Sequence, residues 1–188
     1  YKTALALNAD YSMVSVSGYG IISGFTNDGN KIPQQTIPQY YDKLGFSYNK
    51  FADSITVSET EWDFERYKPD IIVINLGTND MSYATTDERK AEFEDGYLDF
   101  LKKVRSLNSD SYIFQTYGVM GTSLEENIEN VRRKYMSETG DERITFIPLT
   151  MQNEDADGIV ADWHPSPKTH SLVSQKVTAA IKETLGYK

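Results

Sequence analysis

The sequence predicts an α/β domain built on a parallel sheet, and three observations carry that prediction. Strand-like and helix-like segments alternate along the chain. One run, Ile71-Ile72-Val73-Ile74-Asn75-Leu76, is β-branched and apolar on both faces, as a central parallel strand covered by helices should be. The segments between strands carry apolar residues at helical spacing, several opened by capping residues. At 188 residues the chain is long enough for one domain with a real core, so residues 1–188 are read as a single unit.

Taken in order, residues 1–7 read as the end of a helix, because Ala4, Leu5, Ala6 and Leu7 favour helix and Asn8 can close it. Residues 11–16 read as a strand, with Met13, Val14 and Val16 apolar. Ser17-Gly18-Tyr19-Gly20 ends that strand in a loop running through the turn cluster Asn27-Asp28-Gly29-Asn30. Residues 37–44 read as a short helix stopped by Gly45. The strand at 71–76 ends in Gly77-Thr78-Asn79-Asp80. Thr85 with Glu88 predicts a capping box, and Phe93, Tyr97, Phe100, Leu101, Val104 and Leu107 mark the buried face of the helix after it. Residues 112–116 form the next strand. Ser123 with Glu126 opens a further helix striped by Leu124, Ile128, Val131 and Tyr135. Residues 144–149 form the last strand, followed by a loop rich in Asp and Asn. Ser166 as N-cap and Pro167 at the first helical position start the final helix, with Val173, Val177, Ile181 and Leu185 inward.

Charge narrows the partners. Nineteen Lys and Arg against twenty-eight Asp and Glu leave a net charge of −9. An acidic domain repels phosphate backbones, which argues against nucleic acid. No polybasic patch or long apolar run speaks for a membrane. The absence of cysteine removes disulfides, thiolate metal sites and a cysteine nucleophile. Aromatic residues make up 12% of the chain, which suits a core and also suits contact with sugar rings.

In open parallel sheets the ligand site lies at the carboxyl ends of the strands. Only two histidines occur, His164 and His170. His170 falls one turn into the final helix and reads as a partly exposed helix residue. His164 sits in Asp162-Trp163-His164-Pro165-Ser166, after the last strand, where a group titrating near neutrality can act as general base. Its plainer reading is a polar loop residue beside a helix cap. Asn79, after the most buried strand, can donate its amide to negative charge developing on a carbonyl oxygen. Gly18 can turn its backbone N–H into the same pocket. Each of these glycine and asparagine loops also reads as an ordinary turn.

Together these loops resemble the SGNH hydrolase superfamily. Gly18 matches the glycine of the second block, Gly77-Thr78-Asn79-Asp80 the third, and His164 the histidine of the fifth. Asn8-Ala9-Asp10-Tyr11-Ser12, Ser17-Gly18-Tyr19-Gly20 and Asp162-Trp163-His164-Pro165-Ser166 are similar, more narrowly, to carbohydrate esterase family 2. The resemblance implies a three-layer α/β/α, flavodoxin-like fold with a central parallel sheet. It further implies a secreted, bacterial serine esterase that removes acetyl groups from plant polysaccharides such as xylan. The chemistry would be Ser–His acyl-enzyme chemistry, with His164 as base and Gly18 and Asn79 as the oxyanion hole. The expected partner is an acetylated polysaccharide or oligosaccharide, with no metal and no organic cofactor. Trp163 is read either as a platform for the sugar or as a loop anchor packed into the core.

Two departures from the family pattern shape further expectations. The Gly-Asp-Ser turn that carries the nucleophile in such enzymes is absent. The helix at residues 1–7 looks like the one that follows it, so the nucleophile strand and loop are expected upstream, with a β-sandwich domain further upstream in a family 2 enzyme. Burial contributes roughly 25 cal/mol per Å² of apolar surface, against a net stability of about 5–15 kcal/mol. A chain lacking a central strand is therefore expected to need a complementary N-terminal segment. Ser17 is the best-placed serine present, but it precedes the second-block glycine and does not match the nucleophile. The second departure is the acid. The superfamily places aspartate three residues before the histidine, where this chain has Ala161. Either Asp162 or a backbone carbonyl is left to orient His164. Two rival readings stand beside the deacetylase: another SGNH lipase or thioesterase, and a carbohydrate-binding domain without catalysis.

Overall fold

The computed structural model describes residues 1–46, 50–51 and 54–187. In chain order it contains α1 (Lys2–Ala6), a short antiparallel pair β1 (Lys50–Phe51) and β2 (Ile55–Thr56), then β3 (Ile71–Ile74), α2 (Asp87–Leu107), β4 (Tyr112–Tyr117), α3 (Glu125–Thr139), β5 (Ile144–Pro148), α4 (Glu154–Asp157) and α5 (Pro167–Leu185).

The principal sheet is parallel, in the order β3-β4-β5, with Ile71 opposite Tyr112 and Ile113 opposite Ile144. Alternate residues of β4 serve opposite faces. Ile113 and Tyr117 pack with Phe93, Tyr97, Leu101 and Val104 of α2 and Ile128, Val131 and Tyr135 of α3. Phe114 packs on the other side with Ile147, Val177 and Ile181, under α5. Helices on both faces of a parallel sheet make three layers, as expected. α1 lies along α5, tied by the Lys2 Nζ donating to Ser171 Oγ at 2.6 Å.

Capping chemistry fixes where the long helices begin. Ser166 Oγ accepts the Thr169 N–H at 3.2 Å, with Pro167 just inside, as the sequence predicts. The α2 cap falls one residue later than expected: Thr86 Oγ1, not Thr85, accepts the Arg89 N–H. α3 starts after Leu124 with no side-chain cap, so Ser123 does not hold the role expected of it.

Three expectations are corrected. Residues 11–16 join no ladder, and Tyr11, Met13 and Val14 are exposed; a strand needs a facing row of N–H and C=O groups, and this segment meets none among the described residues. The expected helix at 37–44 is reduced to a 3-10 turn over Ile37–Gln39, opened by Pro38 without a side-chain cap. β3 lies at the margin of the sheet instead of its centre, and Val73 is 44% exposed.

Candidate active site

The loops after residue 16, β3 and β5 each carry one predicted group. Gly18 sits in a turn at φ 78°, a conformation glycine adopts without strain. The Gly18 carbonyl accepts the Phe25 N–H at 2.9 Å, while Gly20 exchanges bonds with Gln35 and Ile37. The segment from 18 to 37 is therefore a closed loop held by its own backbone.

The loop after β3 leaves the sheet at Gly77, where φ is 116° and Tyr117, Ile128 and Phe93 crowd the space a side chain would take. Met81 N–H returns to the Gly77 carbonyl at 3.0 Å, closing the turn that presents Asn79. Asn79 Nδ2 then donates to the Tyr19 carbonyl at 2.8 Å. That amide has no second hydrogen-bond partner among the described residues. Asn79 and the Gly18 turn, about sixty residues apart in sequence, are thus brought into direct contact. Ser82 Oγ reinforces the junction, donating to the Asn79 carbonyl at 2.7 Å and accepting the Thr26 N–H at 2.9 Å.

In the sequence Asp80 carries no role beyond closing Gly77-Thr78-Asn79-Asp80. In the fold it is completely buried, and its carboxylate accepts the backbone N–H groups of Ile21, Ile22 and Ser23. Burial pushes its pKa up, and these N–H donors pull the other way by stabilising the anion. A Gly-x-Asn-Asp string carries no sign of which peptides will wrap around the aspartate, so the role was not legible.

His164 is exposed at the end of a 3-10 turn over Ala161–Trp163. Its ring Nδ1 lies 3.1 Å from the Ala161 carbonyl. That carbonyl can only accept, which places the proton on Nδ1 and leaves Nε2 with the lone pair a general base requires. Of the two candidates left open in the sequence, the Ala161 carbonyl is the one that meets the imidazole here. Asp162, the other candidate, adopts φ 55° and is exposed. Trp163 follows at φ 60°. Two successive left-handed residues without glycine cost on the order of 1–3 kcal/mol each. Neighbouring bonds hold the turn: Val160 N–H to the His164 carbonyl at 2.9 Å, and Gln152 Nε2 to the Trp163 carbonyl at 2.8 Å. Trp163 is 63% exposed, which removes its reading as a core anchor.

A chain of contacts along the carboxyl rim links the histidine loop to the asparagine loop. Gln152 N–H donates to the Val119 carbonyl, and Gly121 comes so close to Met81 that a side chain there would meet its sulfur. Ser17 is exposed, and its hydroxyl has no hydrogen bond to His164 among the described residues. No group of His, Asp and Glu able to hold a metal occurs among the described residues. A depression of about 500 Å³ lies at the opposite end of the sheet, lined by Lys102, Arg105, Tyr135 and Arg143. Arg105 is already engaged there by Asp141 at 2.7 Å and the Ser111 carbonyl at 2.6 Å, so the groove is structural.

A carboxamide and a glycine turn clasped together, with a carbonyl-oriented imidazole on the same rim of a three-layer parallel sheet, define the chain as an SGNH-type domain. Residues 16–172 match the model of the GDSL-like Lipase/Acylhydrolase family. The chain belongs to that family. Among curated proteins it is 31% identical to the cellulase/esterase CelE of Acetivibrio thermocellus, over 98% of the chain and 21% of that protein. It is 24% identical to an acetylxylan esterase / glucomannan deacetylase of Cellvibrio japonicus, over 98% of the chain and 47% of that protein. Among solved structures, an acetyl xylan esterase of Butyrivibrio proteoclasticus superposes with a TM-score of 0.88 at 25% identity, covering all of this chain and 55% of the other. A family two carbohydrate esterase of Clostridium thermocellum, solved in complex with cellohexaose, superposes with a TM-score of 0.79 at 30% identity, covering 99% and 53%. The chain thus spans about half or less of the length of these relatives.

Proposed function

We propose that this chain is the main part of a carbohydrate O-deacetylase that removes acetyl groups from polysaccharides such as xylan. The observation that carries the reading is the clasp of Asn79 Nδ2 on the Tyr19 carbonyl beside Gly18. It ties Asn79 to the loop that carries Gly18, while His164 Nδ1 meets the Ala161 carbonyl on the loop after β5. Likeness to acetyl xylan esterases and to an esterase solved with cellohexaose supports the substrate class.

The serine comes from a segment upstream of Tyr1, on a strand that pairs with the free margin of β3. Its hydroxyl attacks the acetyl carbonyl while His164 Nε2 takes the proton, and the Ala161 carbonyl holds Nδ1–H throughout. Asn79 and the Gly18 N–H stabilise the oxyanion. The protonated imidazole gives its proton to the departing sugar oxygen, and then activates the water that releases acetate. Trp163, exposed beside His164, offers its face to a sugar ring. No step calls for a metal or organic cofactor, and the protein acts outside the cell.

The test is hydrolysis of acetylated xylan and an aryl acetate by the longer polypeptide carrying its upstream segment. His164→Ala should lower turnover by roughly 10²–10⁴-fold, whereas Asp162→Asn should stay within about fivefold, far short of the roughly 10⁴-fold loss seen where a carboxylate holds the tautomer. Undiminished turnover in H164A refutes the mechanism. Sugar binding without any turnover makes the protein a binding domain instead.

A further inference from the structure

Asp80 is a fully buried carboxylate that no lysine, arginine or histidine pairs with among the described residues. Its partners are backbone only. Oδ1 accepts the N–H groups of Ile21 at 3.0 Å, Ile22 at 2.8 Å and Ser23 at 3.1 Å, and Oδ2 accepts Ile21 again at 2.9 Å. Consecutive N–H groups converging on one anion form a concave nest, in which the charge is met by peptide dipoles. The fit is close: a Cβ on Gly20 would fall 2.4 Å from Asp80 Oδ2 and 2.2 Å from the Ser23 carbonyl. The carboxylate therefore occupies the inside of the bend that follows Gly18 and Tyr19. Asn79, its immediate neighbour, holds the Tyr19 carbonyl on the outside of the same bend.

We propose that Asp80 is a positioning residue of the oxyanion hole, setting the Gly18 N–H and the Asn79 amide at a fixed mutual separation. This rests on the esterase reading given above. Adjacent residues of one turn grip one loop at two points, so the two donors move as a unit. The gain is rigidity at the Gly18 bend. Asparagine at position 80 would keep the shape. It would lose one acceptor, however, and turn an NH2 towards peptide N–H groups, which loosens the bend. Oxyanion donors act only when placed for the transition state, so their displacement lowers kcat with KM nearly unchanged.

The experiment uses the longer polypeptide with its upstream segment and an aryl acetate substrate. In Asp80→Asn, kcat should fall by roughly 10–100-fold, with KM within about twofold. Asn79→Ala and the double variant complete a cycle. If Asp80 acts through the oxyanion hole, the double variant should lose little more than Asn79→Ala alone. Hydrogen exchange at the Ile21, Ile22 and Ser23 amides should accelerate in D80N. Should D80N be too unstable to purify, Gly20→Ala, which forces the bend off an intact carboxylate, should give the same loss in kcat. An active wild type with unchanged kcat in D80N, or losses that multiply independently in the cycle, overturns the assignment. A wild type without turnover defeats the esterase reading itself. The anchoring of the bend then stands or falls on exchange alone, and unchanged protection in D80N rejects it.

Discussion

At the scale of single residues, charge near the surface has a readable pH signature. Asp28 accepts from Thr26 Oγ1, and from the backbone N–H and side-chain amide of Asn30. These bonds, that from Thr26 first, lower its pKa from 3.8 to about 2. A depressed carboxyl pKa adds stability that is present above the unfolded value and lost as pH falls through the folded one. Thermal midpoints measured from about pH 5 to pH 2 should therefore drop less steeply in Asp28→Asn than in the wild type. Residue types were what the sequence made plainest: Gly18, Asn79 and His164 stand out as candidates because acyl transfer would call for a positive-φ turn, a carboxamide and an imidazole. Their partners could not be named. The carbonyls of Tyr19 and Ala161 are main-chain atoms, identical at every position, so nothing in the order of side chains marks them. Asp162 drew attention for being acidic and adjacent, yet the left-handed turn leaves it facing water.

At the scale of elements, α2 carries a glycine that looks misplaced. Gly96 lies in the helix interior, where glycine costs about 1 kcal/mol relative to alanine. A Cβ there would meet Ile22 Cγ2 at 2.3 Å, so the helix is thinned where the loop after Gly18 rests on it. Overpacking costs roughly 1–3 kcal/mol and should outweigh the helical gain. The urea midpoint of Gly96→Ala is expected to fall; a rise would show that Ile22 yields freely. Long amphipathic helices were legible because their inward stripes repeat over several turns, and Ser166-Pro167 marks a start unambiguously. Short elements were not. The segment at 11–16 has strand composition, but pairing is decided by a neighbour, and composition does not supply one. The expected helix at 37–44 is a single tight turn, Ile37–Gln39.

At the scale of the whole molecule, the sheet has an asymmetry that the run at 71–76 conceals. Its residues are those of a strand covered on both sides, yet β3 forms the sheet's margin and Val73 is exposed. The layer order and the parallel direction were readable from alternation and length. The position of β3 within the sheet was not, because apolar residues on both faces do not say which strands flank it. If an upstream strand covers this margin, a charge at position 73 becomes a buried charge. Val73→Asp should then destabilise the longer polypeptide by more than about 2 kcal/mol, while shifting the 188-residue chain by about 0.5 kcal/mol or less. Chemical denaturation of both forms checks this, and equal shifts would show that nothing seats against β3.

The use of the Ala161 carbonyl to hold His164 has a genetic consequence. A catalytic acid can be erased by one codon change, whereas a peptide oxygen survives every substitution of its own residue. Drift at positions 161 and 162 is thus buffered, and the orienting function is vulnerable chiefly to insertions, deletions or a proline that reshapes the turn. Evolution is free to vary the side chains there without removing the oxygen that meets the imidazole.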